Sequence, residues 1–132
     1  MNVTIEKQND GSYIAYNPDE KEFSLIGVGS TVAEAKEDFF NSIQETIDTL
    51  TEIGETIPDA LTSTPDFSFD LSSLFEYYDF LNVSALARFL GFNETLMRQY
   101  KRGNTYISDK QLGKIEVGIH KIGAELNALK LV

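Results

Sequence analysis

Two short amphipathic patterns meet across Gly91-Phe92-Asn93, and no other stretch of the 132 residues limits the fold as tightly. The first pattern buries Leu86, Ala87 and Leu90. Gly91 supplies the permissive backbone a helix C-terminus needs, and Asn93 is placed to cap the next helix. The second pattern buries Leu96, Met97 and Tyr100. This spacing predicts a helix-turn-helix over residues 84 to 103. The solvent face of its second helix then carries Thr95, Arg98, Gln99, Lys101 and Arg102, residue types that pair with phosphate oxygens and base edges when such a helix lies in a major groove. Thr95, Arg98 and Gln99, near the front of that helix, are expected at base edges; Lys101, Arg102, Asn104 and Lys110 are expected mainly at phosphates. The bland alternative is two ordinary core helices joined by a tight turn.

The charge is partitioned along the chain. The formal net charge of -10 argues against a simple nucleic-acid binder, yet residues 1 to 80 hold 3 basic and 17 acidic side chains, a balance of -14, whereas residues 81 to 132 hold 8 and 4, a balance of +4. A basic module joined to a strongly acidic one suits two different partners, a polyanion for the first and something cationic for the second. An acidic surface that only keeps the chain soluble is the other reading.

A chain of this length holds one ordinary domain or two small ones, and a hydrophobic fraction of 42% supports folded cores. There are no cysteines, which excludes disulfide frameworks, thiolate zinc sites and cysteine nucleophiles. The sequence has neither a basic and apolar leader pattern nor an apolar run near the length of a membrane span, so a cytoplasmic protein without membrane contact is expected.

Three extended patterns open the chain. Val3 and Ile5 alternate with polar neighbours, Asn9-Asp10-Gly11 signals a turn, and Ser12 to Tyr16 is rich in β-formers, which reads as a hairpin. Asn17-Pro18-Asp19 breaks the second strand, the run to Glu22 is a charged loop, and Phe23 to Val28 makes a third strand. Thr31 with Glu34 then fits a capping box, followed by Val32, Ala35, Phe39, Ile43, Ile47 and Leu50 at helical spacing. From Gly54 to Asp66 the composition reads as a loop or hinge. Phe67-Ser68-Phe69 alternates and is a candidate fourth strand, and Leu71 to Leu81 reads as a helix that opens a second module, which puts the domain boundary near Asp70. Finally, Ser108 and Gln111 suggest a cap for one long helix carrying Leu112, Ile115, Ile119, Ile122, Leu126 and Leu129. The first half of that stripe suits the intrachain core. Ile122, Leu126 and Leu129 suit contact with a second copy, so a homodimer or higher homo-oligomer is expected.

The order strand, strand, strand, helix, strand, with Tyr13-Ile14-Ala15-Tyr16-Asn17-Pro18-Asp19 and Gly27-Val28-Gly29-Ser30-Thr31-Val32-Ala33-Glu34-Ala35, resembles the HicB antitoxin family over roughly the first half of the chain. In that family a Tyr-x-Ala-x-x-Pro-Asp pattern and a Gly-[Asp/Ser]-Thr-x-x-Glu-Ala helix start mark a partial ribonuclease H-like fold. Residues 71 to 132 resemble the phage-repressor type of helix-turn-helix that many HicB proteins carry at their C-terminus. The resemblance implies an α+β chain: residues 1 to 70 as a small antiparallel sheet packed on one helix, and residues 71 to 132 as an all-α DNA-binding domain. It further implies a type II antitoxin. The first domain would neutralise HicA, a small basic toxin that cleaves messenger RNA, and the second would bind operator DNA and repress the pair. Glu37, Asp38, Glu45 and Asp48, with Asp19, Glu20 and Glu22 of the charged loop, would then face the toxin and steer its approach. The stretch Asn17 to Phe23 lacks the Leu-Pro-Gly-Cys-like run common after Pro-Asp in the family, and some HicB-like domains have no toxin. An orphan regulator or interaction module is accordingly the alternative.

No catalytic residue, metal ligand set or cofactor is expected. A ribonuclease H-type site needs several carboxylates converging at strand ends on two divalent metals, but the strands offer only Glu6, Glu22 and Asp70, at no catalytic spacing. His120, the single histidine, reads as structural. The sequence carries no phosphate-binding glycine loop or nucleophile elbow.

Overall fold

The computed structural model describes every residue except Asn104, and it divides into two compact units, residues 1–77 and 78–132. The class is α+β, with four strands and six helices among the described residues. The division falls after Tyr77 rather than near Asp70.

The first unit begins with strands β1 (Asn2–Lys7) and β2 (Tyr13–Tyr16), paired antiparallel with Ile5 opposite Ala15. Their turn has Gly11 at φ 86°, and Asp10 accepts from both the amide and the hydroxyl of Ser12, which holds its carboxyl below the usual range. Strand β3 (Ile26–Gly29) pairs antiparallel with β2, and helix α1 (Val32–Glu52) follows. The strand starts later than Phe23 for a local reason. Buried Asn17 donates from Nδ2 to the carbonyl of Phe23 at 3.2 Å and accepts the Leu25 amide at 2.8 Å, so a side chain, not a neighbouring strand, satisfies that backbone.

Thr31 caps α1 by accepting the Glu34 amide at 3.1 Å, and the Glu34 carboxylate accepts the Ser30 amide at 2.7 Å. With the Ser30 hydroxyl also donating to it, the Glu34 carboxyl is held below the usual range. Val32, Ala35, Phe39 and Ile43 turn inward onto Val3, Ile5, Tyr13 and Ala15, forming one core. Helix and strand meet backbone to backbone: a Cβ on Gly27 would lie 2.3 Å from the Ala35 carbonyl oxygen.

The segment expected to be a loop contains a one-turn helix, α2 (Asp59–Thr62), anchored by buried Leu61. Strand β4 (Asp66–Phe69) then runs parallel to β1, so the sheet order is β3-β2-β1-β4 and the sheet is mixed, not antiparallel. The long crossover through α1 makes that parallel return possible. Helix α3 (Leu71–Tyr77) belongs to this unit instead of opening the next. Lys7 donates its amide to Ser73 Oγ at 3.0 Å, and the Tyr77 ring stacks on Phe69 at 5.4 Å and meets Tyr13 edge-on at 5.8 Å.

On the sheet face carrying Glu6 and Tyr16, the Tyr16 hydroxyl donates to Glu6 Oε1 at 2.6 Å. That bond, reinforced by burial and by the charges of Glu6 and Asp70, pushes the phenol up to about 12. An unfolded tyrosine ionises near ~10. The unfolded chain therefore loses its proton first, and the contribution is intact below about pH 10 and lost as pH rises through about 12. Thermal melts of wild type and Tyr16→Phe should differ below pH 10 and converge by pH 12; a constant difference across that window would contradict the assignment.

The second unit holds α4 (Val83–Leu90), α5 (Glu94–Arg102) and α6 (Asp109–Ala128). Its core is Val83, Leu86, Ala87, Met97, Tyr100 and Ile115, with Leu90 and Leu96 half-buried. Leu90 touches α6 where Gly118 leaves room, since a Cβ there would meet Leu90 Cδ2 at 2.5 Å.

Candidate functional site

The connection between α4 and α5 is fixed by caps at every end. Asn82 accepts the Ala85 amide at 2.9 Å and Asn93 accepts the Leu96 amide at 2.8 Å. Gly91, at φ 73°, closes α4: its amide donates to the Arg88 carbonyl and that of Phe92 to the Ala87 carbonyl at 2.8 Å, the two bonds of a Schellman end. Arg88 pairs with Glu94 across the turn. That pair is largely exposed and contributes little, about 0 to 1 kcal/mol. The caps and the apolar contacts set the angle.

With Met97 and Tyr100 facing inward, Thr95, Arg98, Gln99 and Arg102 share the exposed face of α5, and half-buried Lys101 lies at its flank. Arg98 is held in place there. It donates from Nη1 to Ser84 Oγ at 2.8 Å and from Nη2 to Thr95 Oγ1 at 3.1 Å. Neither Ser84 nor this bond follows from sequence spacing, because the partners are 14 residues apart on different helices. Asn82, by contrast, carried a readable capping signal three residues before Ala85.

Tyr100 ties α5 to α6 by donating its hydroxyl to Gln111 Oε1 at 2.7 Å, while Ser108 caps α6 by accepting the Gln111 amide. An open groove of about 820 Å³ runs between the turn and α6; Leu90, Phe92, Leu96 and Val117 line it, and Lys110 and Lys114 stand beside them. Lys110 is thus on the Leu96 side of α5. Asn104 lies outside the described residues. Further along α6, Ile122 is half-buried, whereas Leu126 and Leu129 are 61% and 63% exposed.

In the first unit the acidic residues of α1 named above are all exposed, and two of them, Asp38 and Asp48, also accept hydrogen bonds, Asp48 from Gln44 Nε2 at 2.8 Å. Glu37, Glu45 and Asp48 are exposed on α1, opposite its buried stripe. Asp38, also exposed, accepts the Val28 amide at 2.8 Å and so covers a donor of β3, the strand at one edge of the sheet. Asp19, Glu20 and Glu22 precede β3 on the loop pinned by Asn17, and Asp19 accepts from Asn2 Nδ2 at 3.2 Å.

Of the carboxylates considered for catalysis, Glu6 accepts from Tyr16 and Asp70 accepts the Ser73 amide at the start of α3. Among the described residues, no group of three or more His, Cys, Asp or Glu side chains could hold a metal ion, and no helix is long and apolar enough to cross a membrane. Comparison with protein-family models, with curated proteins and with solved structures gives no match.

Proposed function

We propose that this chain is a HicB-like antitoxin that acts by binding, without catalysis or a cofactor. In this reading the first unit neutralises a basic HicA-like ribonuclease, and the second represses the shared operon by binding operator DNA as a homodimer in the cytoplasm. The observation that carries the DNA half is the exposed face of α5, where Arg98, Gln99, Arg102 and Thr95 stand together on a helix that a capped turn sets against α4. A helix presented this way fits a major groove, with its polar face toward the bases. Lys101 and Lys110 flank that face, Arg102 stands at its C-terminal end, and all three suit phosphate oxygens. The exposed Leu126 and Leu129 suit a two-fold contact, which a single small module needs for useful affinity.

The toxin half is supported by the strand, strand, strand, helix, strand order and by the acidic stripe Glu37, Glu45 and Asp48, which meets solvent over the length of α1. A second reading, an orphan regulator without a toxin, is favoured by one observation. Asp38, Asp19 and Asp48 accept hydrogen bonds within the unit, from the Val28 amide, Asn2 Nδ2 and Gln44 Nε2, so three of the seven carboxylates assigned to a partner have internal work.

Electrophoretic shift of duplex DNA from upstream of the chain's own gene tests the DNA half. Binding should weaken steeply with salt, and Lys110→Ala should lower the slope of log affinity against log salt by about one unit. No shift at low salt, or a slope unchanged in the variant, would contradict the assignment.

A further inference from the structure

We infer that Arg98 reads a guanine in the major groove and that Ser84 is the residue that positions it. The inference rests on the DNA-binding reading above and names the base that reading leaves open. Arg98 is exposed, yet two of its five N–H groups are already committed, one to Ser84 Oγ at 2.8 Å and one to Thr95 Oγ1 at 3.1 Å. Both hydroxyls act there as acceptors. Each therefore keeps its own O–H proton to donate, and the guanidinium keeps three N–H donors. The guanidinium itself offers a positive charge and donors only, so a ligand that meets Arg98 must present acceptors.

Among the four bases, guanine alone shows two acceptors, O6 and N7, and no donor from its own major-groove edge, and a planar guanidinium meets both at once. Adenine would set its N6 amino group against a donor, cytosine offers a donor, and thymine pairs one acceptor with a methyl group. A phosphate oxygen is the competing acceptor. The position of Arg98 argues for the base: it lies on the same exposed face of α5 as Thr95 and Gln99, whereas Lys101 and Arg102 occupy the last turn and Lys110 another helix. Ser84 and Thr95 hold the guanidinium before DNA arrives, so less side-chain freedom is lost when the bidentate pair forms. Thr95 accordingly supports Arg98 through its oxygen.

The test is selection of duplexes from a randomised pool with the full chain, followed by affinity measurement on the enriched site and on single-base variants of it. Wild type should enrich a site with a fixed guanine and discriminate against other bases there by roughly five- to a hundredfold. Arg98→Lys, which retains the charge but not the planar fork, should lose that preference at one base pair and keep the others. Ser84→Ala should weaken the preference at the same base pair, and Ser84→Thr, which restores the hydroxyl, should recover it. If Arg98→Lys leaves every base preference intact while Arg98→Ala only lowers affinity and flattens the salt slope, the residue contacts phosphate and the inference is overturned. Lower melting temperatures in both Ser84→Ala and Arg98→Ala with unchanged base preferences would make the cluster a helix clamp and equally overturn it. A wild-type chain that enriches no site would remove the DNA-binding reading itself, an outcome distinct from either.

Discussion

Replacing Gly27 by alanine is expected to unfold the sheet-and-helix unit or to lower its melting temperature by roughly 10 °C or more. The added Cβ would stand 2.3 Å from both the Ala35 carbonyl oxygen and the Phe39 amide nitrogen, and 2.6 Å from Phe39 Cα. All three are backbone atoms of α1, so no rotamer change relieves the clash. The helix must move away from β3 and draw Ala35 and Phe39 out of the core. Overpacking against movable side chains costs about 1 to 3 kcal/mol, and this site belongs at or above the top of that range, a large share of the ~5 to 15 kcal/mol that small domains possess. The same substitution at Gly113, where a Cβ meets nothing within 4 Å, should instead stabilise α6 by up to about 1 kcal/mol. Melts followed by circular dichroism compare the two. A Gly27→Ala chain that melts within a degree or two of wild type would show that helix and strand are not in backbone contact.

The second large effect concerns association. Reversing the charge of Glu37, Glu45 and Asp48 together to lysine should slow capture of a basic protein partner by roughly ten- to a hundredfold at low salt, with a smaller change in dissociation. These side chains are exposed and sit on the face of α1 opposite the core, so the helix should tolerate the change. The difference should shrink as salt rises and the Debye length falls to about 8 Å near 0.15 M. Asp38 belongs to a different test. Its carboxylate holds the Val28 amide, and a defect at that position would report on the β3 edge rather than on the partner. Stopped-flow association at two salt concentrations measures the effect, and equal rates for wild type and the triple variant would show that the stripe does not face the partner.

What could be read from the sequence was whatever a local period or cap encodes. The buried stripe of α1, the Gly91 and Asn93 turn and the Ser108 cap are short-range signals, and the structure places them as expected. What could not be read depends on partners far along the chain. β4 follows a long crossover, and alternation at Phe67 to Phe69 does not say which way the strand runs, so the parallel pairing with β1 was missed. Helix α3 carries no local mark of the unit it joins, because its attachment to the sheet runs through Ser73 and Tyr77 to Lys7, Tyr13 and Phe69. In the candidate sites the residue types were legible and their individual roles were not. Glu37 and Asp38 are adjacent in sequence and both exposed, yet only Asp38 satisfies a strand amide, that of Val28. Arg98 was visible as a cation on an exposed face, whereas its attachment to Ser84 emerges only when α4 and α5 are packed.

The central claim is that one chain serves two partners, and a single mixing experiment tests it most directly. The full chain is combined with a small basic HicA-like ribonuclease, taken from the frame next to its own gene where that frame encodes one, and both RNA cleavage and the mobility of the upstream DNA are followed as the chain is titrated. The account predicts that cleavage stops near stoichiometric chain, that the two proteins migrate as one complex near ~0.15 M salt, and that this complex still shifts the DNA. Cleavage that continues in excess chain, with the DNA shift unaltered by the basic protein, would contradict it and leave a transcriptional regulator without a toxin.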